Sequence, residues 1–196
     1  LSHYQLTLEP NTVFAARPPQ LPDEETAWTM QEACGDRLSG AGYRNYEISA
    51  WARPGRECRH NLNYWRFGDY LGIGAGASGK ITLPADDSVL RTRRRMVPHS
   101  WMAAAEDRSF VARENRVPGD DLAFEYMLNR LRLAEPIPLP EFEARTGLDV
   151  AALETALGKA VELGLLERER EALIRTERGA RYLDDLQALF LPSRND

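Results

Sequence analysis

Within the seven residues Arg59-His60-Asn61-Leu62-Asn63-Tyr64-Trp65 the chain places one of its three histidines beside two large aromatics and an arginine. His60 and Tyr64 stand at i, i+4, so they share a face if the segment is helical. The even spacing also puts them on one face if it is extended. Either way an aromatic ring lies beside the imidazole. Arg53, Arg56, Arg59 and Arg66 surround the segment and are able to pair with carboxylates. One imidazole, aromatic walls and nearby arginines suit a porphyrin with propionates held by one axial histidine. A half-buried imidazole sharing its ring proton with a carbonyl accounts for the same residues.

Other candidate chemistry is thinner. Gly72-Ile73-Gly74-Ala75-Gly76 resembles a phosphate or cofactor loop, but it is not GxGxxG and no GK[ST] follows. Taken alone, it is better explained by a tightly packed strand or turn than by a cofactor loop. Glu47 on a strand is an inward carboxylate or, equally, an outward solvated one, and Arg91-Thr92-Arg93-Arg94-Arg95 reads as a solvated basic loop rather than a phosphate site. His3, Ser49 and Ser78 make no recognisable Ser/His/Asp arrangement. Cys34 and Cys58 are the only cysteines and neither has a CxxC partner, so free thiols are expected and a cluster needing three or four thiolates is excluded from this chain alone.

The elements that must position these groups follow from periodicity and punctuation. Residues 3–8 alternate as a strand. Asp23 caps a helix over 23–40, closed by Gly40 or Gly42. Residues 43–51 read as a second strand, 70–77 as a strand-like run stripped of side chains by its glycines, 80–83 as a strand and 99–113 as a helix. From 119 onward the pattern is a helix to about Arg132, a short helix 139–147 ended by glycine, a helix capped by Asp149, strand candidates in LLERERE and ALIRTER, and a helix over 178–190. The expected class is α+β, with a domain boundary at Val117-Pro118-Gly119 separating residues 1–118 from a winged-helix-like domain, 119–196.

Composition sets the outer bounds. With 196 residues, 43% hydrophobic and 28% charged, the chain fits one or two globular domains. It has no apolar run of about 18 residues to cross a membrane and no secretory signal pattern at Leu1–Pro10. It opens on strand-like sequence with no initiator Met, as a segment of a longer protein does. The net charge of −5 is uneven: residues 1–118 hold fifteen Lys+Arg against fourteen Asp+Glu, residues 119–196 ten against sixteen. That acidic second part argues against nucleic-acid binding. The candidate recognition helix there, VAALETALGKAVELG, holds one Lys and no Arg, so no DNA partner is expected.

YQLTLEPNT, AGYRNYEISAWARPG, RHNLNYW and YLGIGAGASGK, in this order, resemble one family over nearly the whole chain. It is the carboxy-terminal half of the oxygen-independent coproporphyrinogen III oxidase group of radical S-adenosylmethionine proteins, nearest its heme chaperone branch. That branch is marked by His-Asn-x-x-Tyr-Trp, matched by His60, Asn61, Tyr64 and Trp65. The resemblance implies the carboxy-terminal part of a partial (β/α) radical-SAM barrel followed by the winged-helix-like domain. It implies that His60 ligates heme iron, that Tyr64 and Trp65 stack on the macrocycle or brace the histidine, and that Asn61 orients the imidazole. Gln5, Gly74, Gly76 and Ser78 would touch S-adenosylmethionine or lie next to it; the family usually has histidine where Ser78 stands. The four-iron, four-sulfur cluster belongs to a Cys-x-x-x-Cys-x-x-Cys loop that this chain lacks, so the implied radical chemistry cannot run on these residues. The implied protein is cytoplasmic and hands heme or porphyrin to an acceptor protein. The alternatives are a true oxidase acting on coproporphyrinogen III and a winged-helix protein- or DNA-binding module.

Overall fold

A computed structural model describes residues 1–83, 86 and 88–192 of the protein. Its contacts divide it into two compact units, Leu1–Cys58 and Arg59–Asp196.

In the first unit, the single-turn helix α1 (Val13–Ala16) precedes α2 (Glu24–Gly40). Asp23 caps α2 by accepting from the Thr26 amide at 2.7 Å, and Glu24 and Glu25 complement the amino-terminal end of the helix dipole. The expected strand 43–51 folds instead as a hairpin of β1 (Arg44–Glu47) and β2 (Ala50–Ala52), with Arg44 opposite Ala52. Local side-chain bonds fold it over. Asn45 Nδ2 donates to the carbonyls of Glu47 (2.7 Å) and Ala50 (3.2 Å), and Glu47 Oε1 accepts from the Ser49 amide and hydroxyl. Such bonds compete with a continuous strand. The expected strand 3–8 shrinks to one bridge, Ser2 to Ala50, plus the His3 amide bonded to the Ser49 carbonyl at 2.7 Å. Residues 4–8 form no ladder, because no described strand lies beside them to accept one.

The second unit begins with α3 (Arg59–Trp65), then β3 (Ser78–Leu83), β4 (Ser88–Arg94), α4 (Pro98–Ala103) and β5 (Val111–Arg116). The three strands make an antiparallel sheet in the order β3-β4-β5. The RTRRR run is therefore mostly strand rather than loop: Arg91 and Arg93 lie opposite Lys80 and Ser78. The expected helix 99–113 stops at Ala103. Asp107 Oδ1 accepts from the Ser109 amide at 2.9 Å, Arg108 sits at φ 62°, and the chain turns back into β5.

Beyond Val117 come α5 (Gly119–Arg130), β6 (Ile137–Pro138), α6 (Leu139–Thr146), a 3-10 turn (Val150–Leu153) and α7 (Glu154–Glu162). The hairpin β7 (Leu166–Glu169) and β8 (Ala172–Arg175) follows, and then α8 (Glu177–Arg181) and α9 (Leu183–Ala188), which break the expected single helix at Tyr182. Gly147 closes α6 at φ 72°, and Asp149 caps the turn through the Ala151 amide. The second sheet has the order β6-β8-β7.

One apolar core runs from Phe67 and Val89 through Leu122, Tyr126 and Phe142 to Phe190. Arg130 is enclosed in it, 1% exposed, and its charge is met by Glu135 and Glu141, each at 2.9 Å, with the Pro136 carbonyl at 3.1 Å. Glu135 also takes the fork of Arg66 at 2.6 and 2.8 Å, which fastens the end of α3 to this network. The Arg66 hydrogen bonds come first among the influences that hold the Glu135 carboxyl below its ordinary range, ahead of the opposing effect of burial and the added attraction of Arg130.

Candidate functional site

The segment RHNLNYW is helical, and it ends abruptly. The Arg66 amide bonds to the Leu62 carbonyl, the Phe67 amide to Tyr64, and the Gly68 amide reaches back to Asn63 at 2.7 Å. Phe67 adopts φ 55°, a left-handed conformation costly for an L residue. Its ring, 1% exposed and 5.6 Å from that of Tyr126, is held there by the core.

Lys80 locks this turn. Its side chain is 2% exposed, and the ammonium donates to the Phe67 carbonyl (2.9 Å), Asp69 Oδ1 (3.1 Å) and Thr82 Oγ1 (3.2 Å), while lying 4.0 Å from the centre of the Phe67 ring. Burial depresses the Lys80 pKa, against the opposing pull of Asp69. Asp69 in turn accepts from the Thr82 amide and hydroxyl, and its backbone carbonyl accepts from Asn63 Nδ2 at 2.9 Å. The carboxy-terminal end of α3 is thus pinned to β3.

On the helix the i, i+4 expectation holds. His60 is exposed and meets Tyr64 edge-on, with ring centroids 4.7 Å apart. Tyr64 continues to Tyr70 at 4.3 Å. The Tyr70 hydroxyl accepts from Arg91 at 2.8 Å, and Arg91 is also paired with Glu125. Asn61 is half-buried on the same helix. Trp65 turns away from this row: Arg132 lies over its ring at 4.2 Å, and its indole N–H is buried with no acceptor among the described residues.

The glycine run is a turn and not a strand. Only Tyr70 bridges to β3, at Lys80. Gly74 and Gly76 then take φ 100° and 74°, values open to glycine and strained for other residues. The turn is tied by the Gly76 amide to the Arg95 carbonyl and by the Ala77 amide to Gly74. Ser78, exposed, opens β3 directly after it. In the first unit Gln5 lines a groove of 250 Å³ with His3, Tyr4, Leu6, Leu21 and Met30.

Within the second unit the fold therefore adds Tyr70 to the expected pair His60 and Tyr64, making one aromatic row, and brings in Lys80 and Arg91; spacing flagged none of these three. A buried lysine leaves no periodic signature, and Tyr70 looked like any strand aromatic. Cys34 is half-buried and Cys58 exposed, both as free thiols. Among the described residues no group of three or more His, Cys, Asp or Glu side chains is arranged to hold a metal ion, and no helix is long and apolar enough to cross a membrane.

Residues 117–182 match the HemN C-terminal domain. Over 191 residues the chain is 44% identical to the heme chaperone HemW of Escherichia coli K12, covering 97% of this chain and 49% of that protein. It is 34% identical over 190 residues to the heme chaperone HemW of Mycobacterium tuberculosis H37Rv, covering 94% and 45% respectively. The chain thus spans about half the length of the curated relatives it matches. Its fold matches that of the E. coli radical SAM enzyme coproporphyrinogen III oxidase (HemN), with a TM-score of 0.65 at 16% identity over 91% of this chain and 44% of that one.

Proposed function

Because the chain belongs to the HemN-like radical SAM family, as the carboxy-terminal half of a HemW-type protein, we propose that it supplies the heme-binding face of a heme chaperone. The observation that carries this reading is the exposed His60 imidazole, seated edge-on against Tyr64 with Tyr70 behind it. An axial ligand needs an accessible imidazole nitrogen, and a flat macrocycle needs aromatic surface beside it. The residues present fit heme as cargo. They do not fit an iron–sulfur cluster, since two isolated cysteines cannot supply its thiolates; in the whole protein that cluster would supply the electron that cleaves S-adenosylmethionine.

In this reading His60 ligates the iron, Tyr64 stacks on the macrocycle, and Asn61 and Trp65 brace the helix that presents them. The turn of Gly74, Gly76 and Ser78 borders S-adenosylmethionine, and Gln5 carries the same assignment within its own unit. Two HemW-type relatives at 34 to 44% identity, against an oxidase structure at 16%, favour the chaperone over an oxidase acting on coproporphyrinogen III. In this reading residues 119–196 are the winged-helix-like domain, and its helix α7 presents Glu154 and Glu162 beside a lone Lys159. It suits docking to a heme acceptor protein or covering the site better than entering a DNA groove. The protein would work in the cytoplasm.

Heme titration tests the reading. Hemin added to the chain should give a shifted Soret band, and His60→Ala should remove the shift while the far-UV circular dichroism stays that of the parent. A mutant that shifts the band as the parent does sinks the assignment.

A further inference from the structure

On one face of the β3-β4-β5 sheet two rows of side chains run side by side, since cross-strand partners share a face and every second residue returns to it. Lys80, Arg91 and Asn115 form the first row; Ser78, Arg93 and Arg113 form the second. The first row's cations are matched, Lys80 by Asp69 and Arg91 by Glu125. The second row's are not. Arg93 Nη2 reaches the Met96 thioether at 3.1 Å, a weak acceptor. The Ser78 and Arg113 side chains make no hydrogen bond or ion pair with any described residue. All three residues are exposed. Two guanidinium groups directly opposite one another repel, and no acidic side chain stands in the row to relieve them. A chain of net charge −5 thus concentrates unmatched positive charge here.

The row also borders both parts of the candidate site. Met96, which Arg93 touches, lies 3.8 Å from where a side chain at Gly76 would begin. The adjoining row meets Tyr70, the inner end of the aromatic row from His60, through its bridge to Lys80.

We infer that Ser78, Arg93 and Arg113 form a carboxylate-binding site. Each guanidinium offers a planar fork matched to a carboxylate, and the hydroxyl adds a donor between the turn and Arg93. The inference rests on the heme-handling reading, under which carboxylates come from two sources: the propionates of the tetrapyrrole and the amino-acid group of S-adenosylmethionine.

The experiment titrates hemin, hemin dimethyl ester and S-adenosylmethionine into the full chain, its Arg93→Gln/Arg113→Gln variant and its Arg93→Lys/Arg113→Lys variant. Loss of a charge-assisted pair weakens binding roughly tenfold or more. A drop of that size for hemin, with the ester unaffected and the Soret maximum unmoved, identifies propionates; a drop for S-adenosylmethionine alone identifies its carboxylate. The lysine variant, which keeps the charge and loses the fork, should fall between parent and glutamine variant. Unchanged affinity for both carboxylate ligands in the glutamine variant overturns the site, and leaves the arginines as charges that keep the edge strand β5 from pairing. Absence of binding by the parent to either ligand overturns it as well. Failure of the heme reading is separate, since it shows as a Soret shift that survives His60→Ala.

Discussion

The two units bury their apolar side chains very differently. In Leu1–Cys58 the buried residues are Glu47, Ser49, Ala50 and Ala52, two of them polar, while Tyr4, Leu6, Val13, Phe14, Trp28 and Met30 stand 41 to 75% exposed. In Arg59–Asp196 a single core takes in Phe67, Tyr126, Phe142, Leu157, Leu173 and Leu186, each no more than 1% exposed. Both stretches contain ample apolar residues, so composition does not make the difference. A side chain stabilises only when a partner surface removes it from water, by about 1.5–3 kcal/mol for a large one. The second unit supplies its own partners by stacking helices on two sheets; in the first, those six large apolar side chains stay at least 41% exposed. The candidate heme helix α3 belongs to the well-packed unit, and its C-terminal end is anchored in that core through Phe67 and Lys80.

The largest expected effect tests that contrast directly. Phe142→Ala should cost about 3–5 kcal/mol by denaturant unfolding, whereas Leu6→Ala should stay within about 0.5 kcal/mol. Equal losses would mean that the first unit hides a core of its own.

A smaller effect tests the anchor on α3. Lys80→Met removes the donor to Phe67 and Asp69 and should cost about 1–3 kcal/mol, less than a fully buried pair because Asp69 can return to water. If α3 depends on this clasp, proteolysis near residue 67 should quicken in the variant. Unchanged cleavage would show that the core alone holds the turn.

The smallest concerns acid. Glu135 has its carboxyl held below the ordinary 4.5, so the folded state prefers the charged form. Its contribution is complete above pH 4.5 and is lost as pH falls through the lower folded value. The stability of the parent should therefore drop in that window, and the difference between the parent and Glu135→Gln should shrink there. A difference that stays constant with pH would remove Glu135 from the linkage.

Much of the fold was legible where local chemistry decides. Asp23, Gly147 and Asp149 mark their helix boundaries because caps are set by neighbouring residues. The two short strand candidates LLERERE and ALIRTER do fold as the hairpin of β7 and β8. Other elements were not legible. The hairpin at 44–52 turns on side-chain bonds from Asn45 and Ser49, which periodicity does not register. Residues 111–113 looked helical because the strand that pairs with them, β4, lies outside the local window that periodicity reads. Within the candidate site, His60 and Tyr64 were readable as a pair from their spacing, while Lys80 and Arg91 reach the site only through cross-strand register.

By itself the sequence determined the composition, the helix caps, the absence of cluster cysteines and the motif around His60, since all of these depend on residues close together in the chain. The tertiary structure decided that His60 faces solvent beside Tyr64 and Tyr70, that Lys80 is buried to clamp the end of its helix, and that Arg93 and Arg113 stand opposite one another unmatched. The last two depend on which strands pair and in what register, and a shift of one residue would have turned Lys80, Arg93 and Arg113 to the other face; the first depends on how helix α3 packs on its unit.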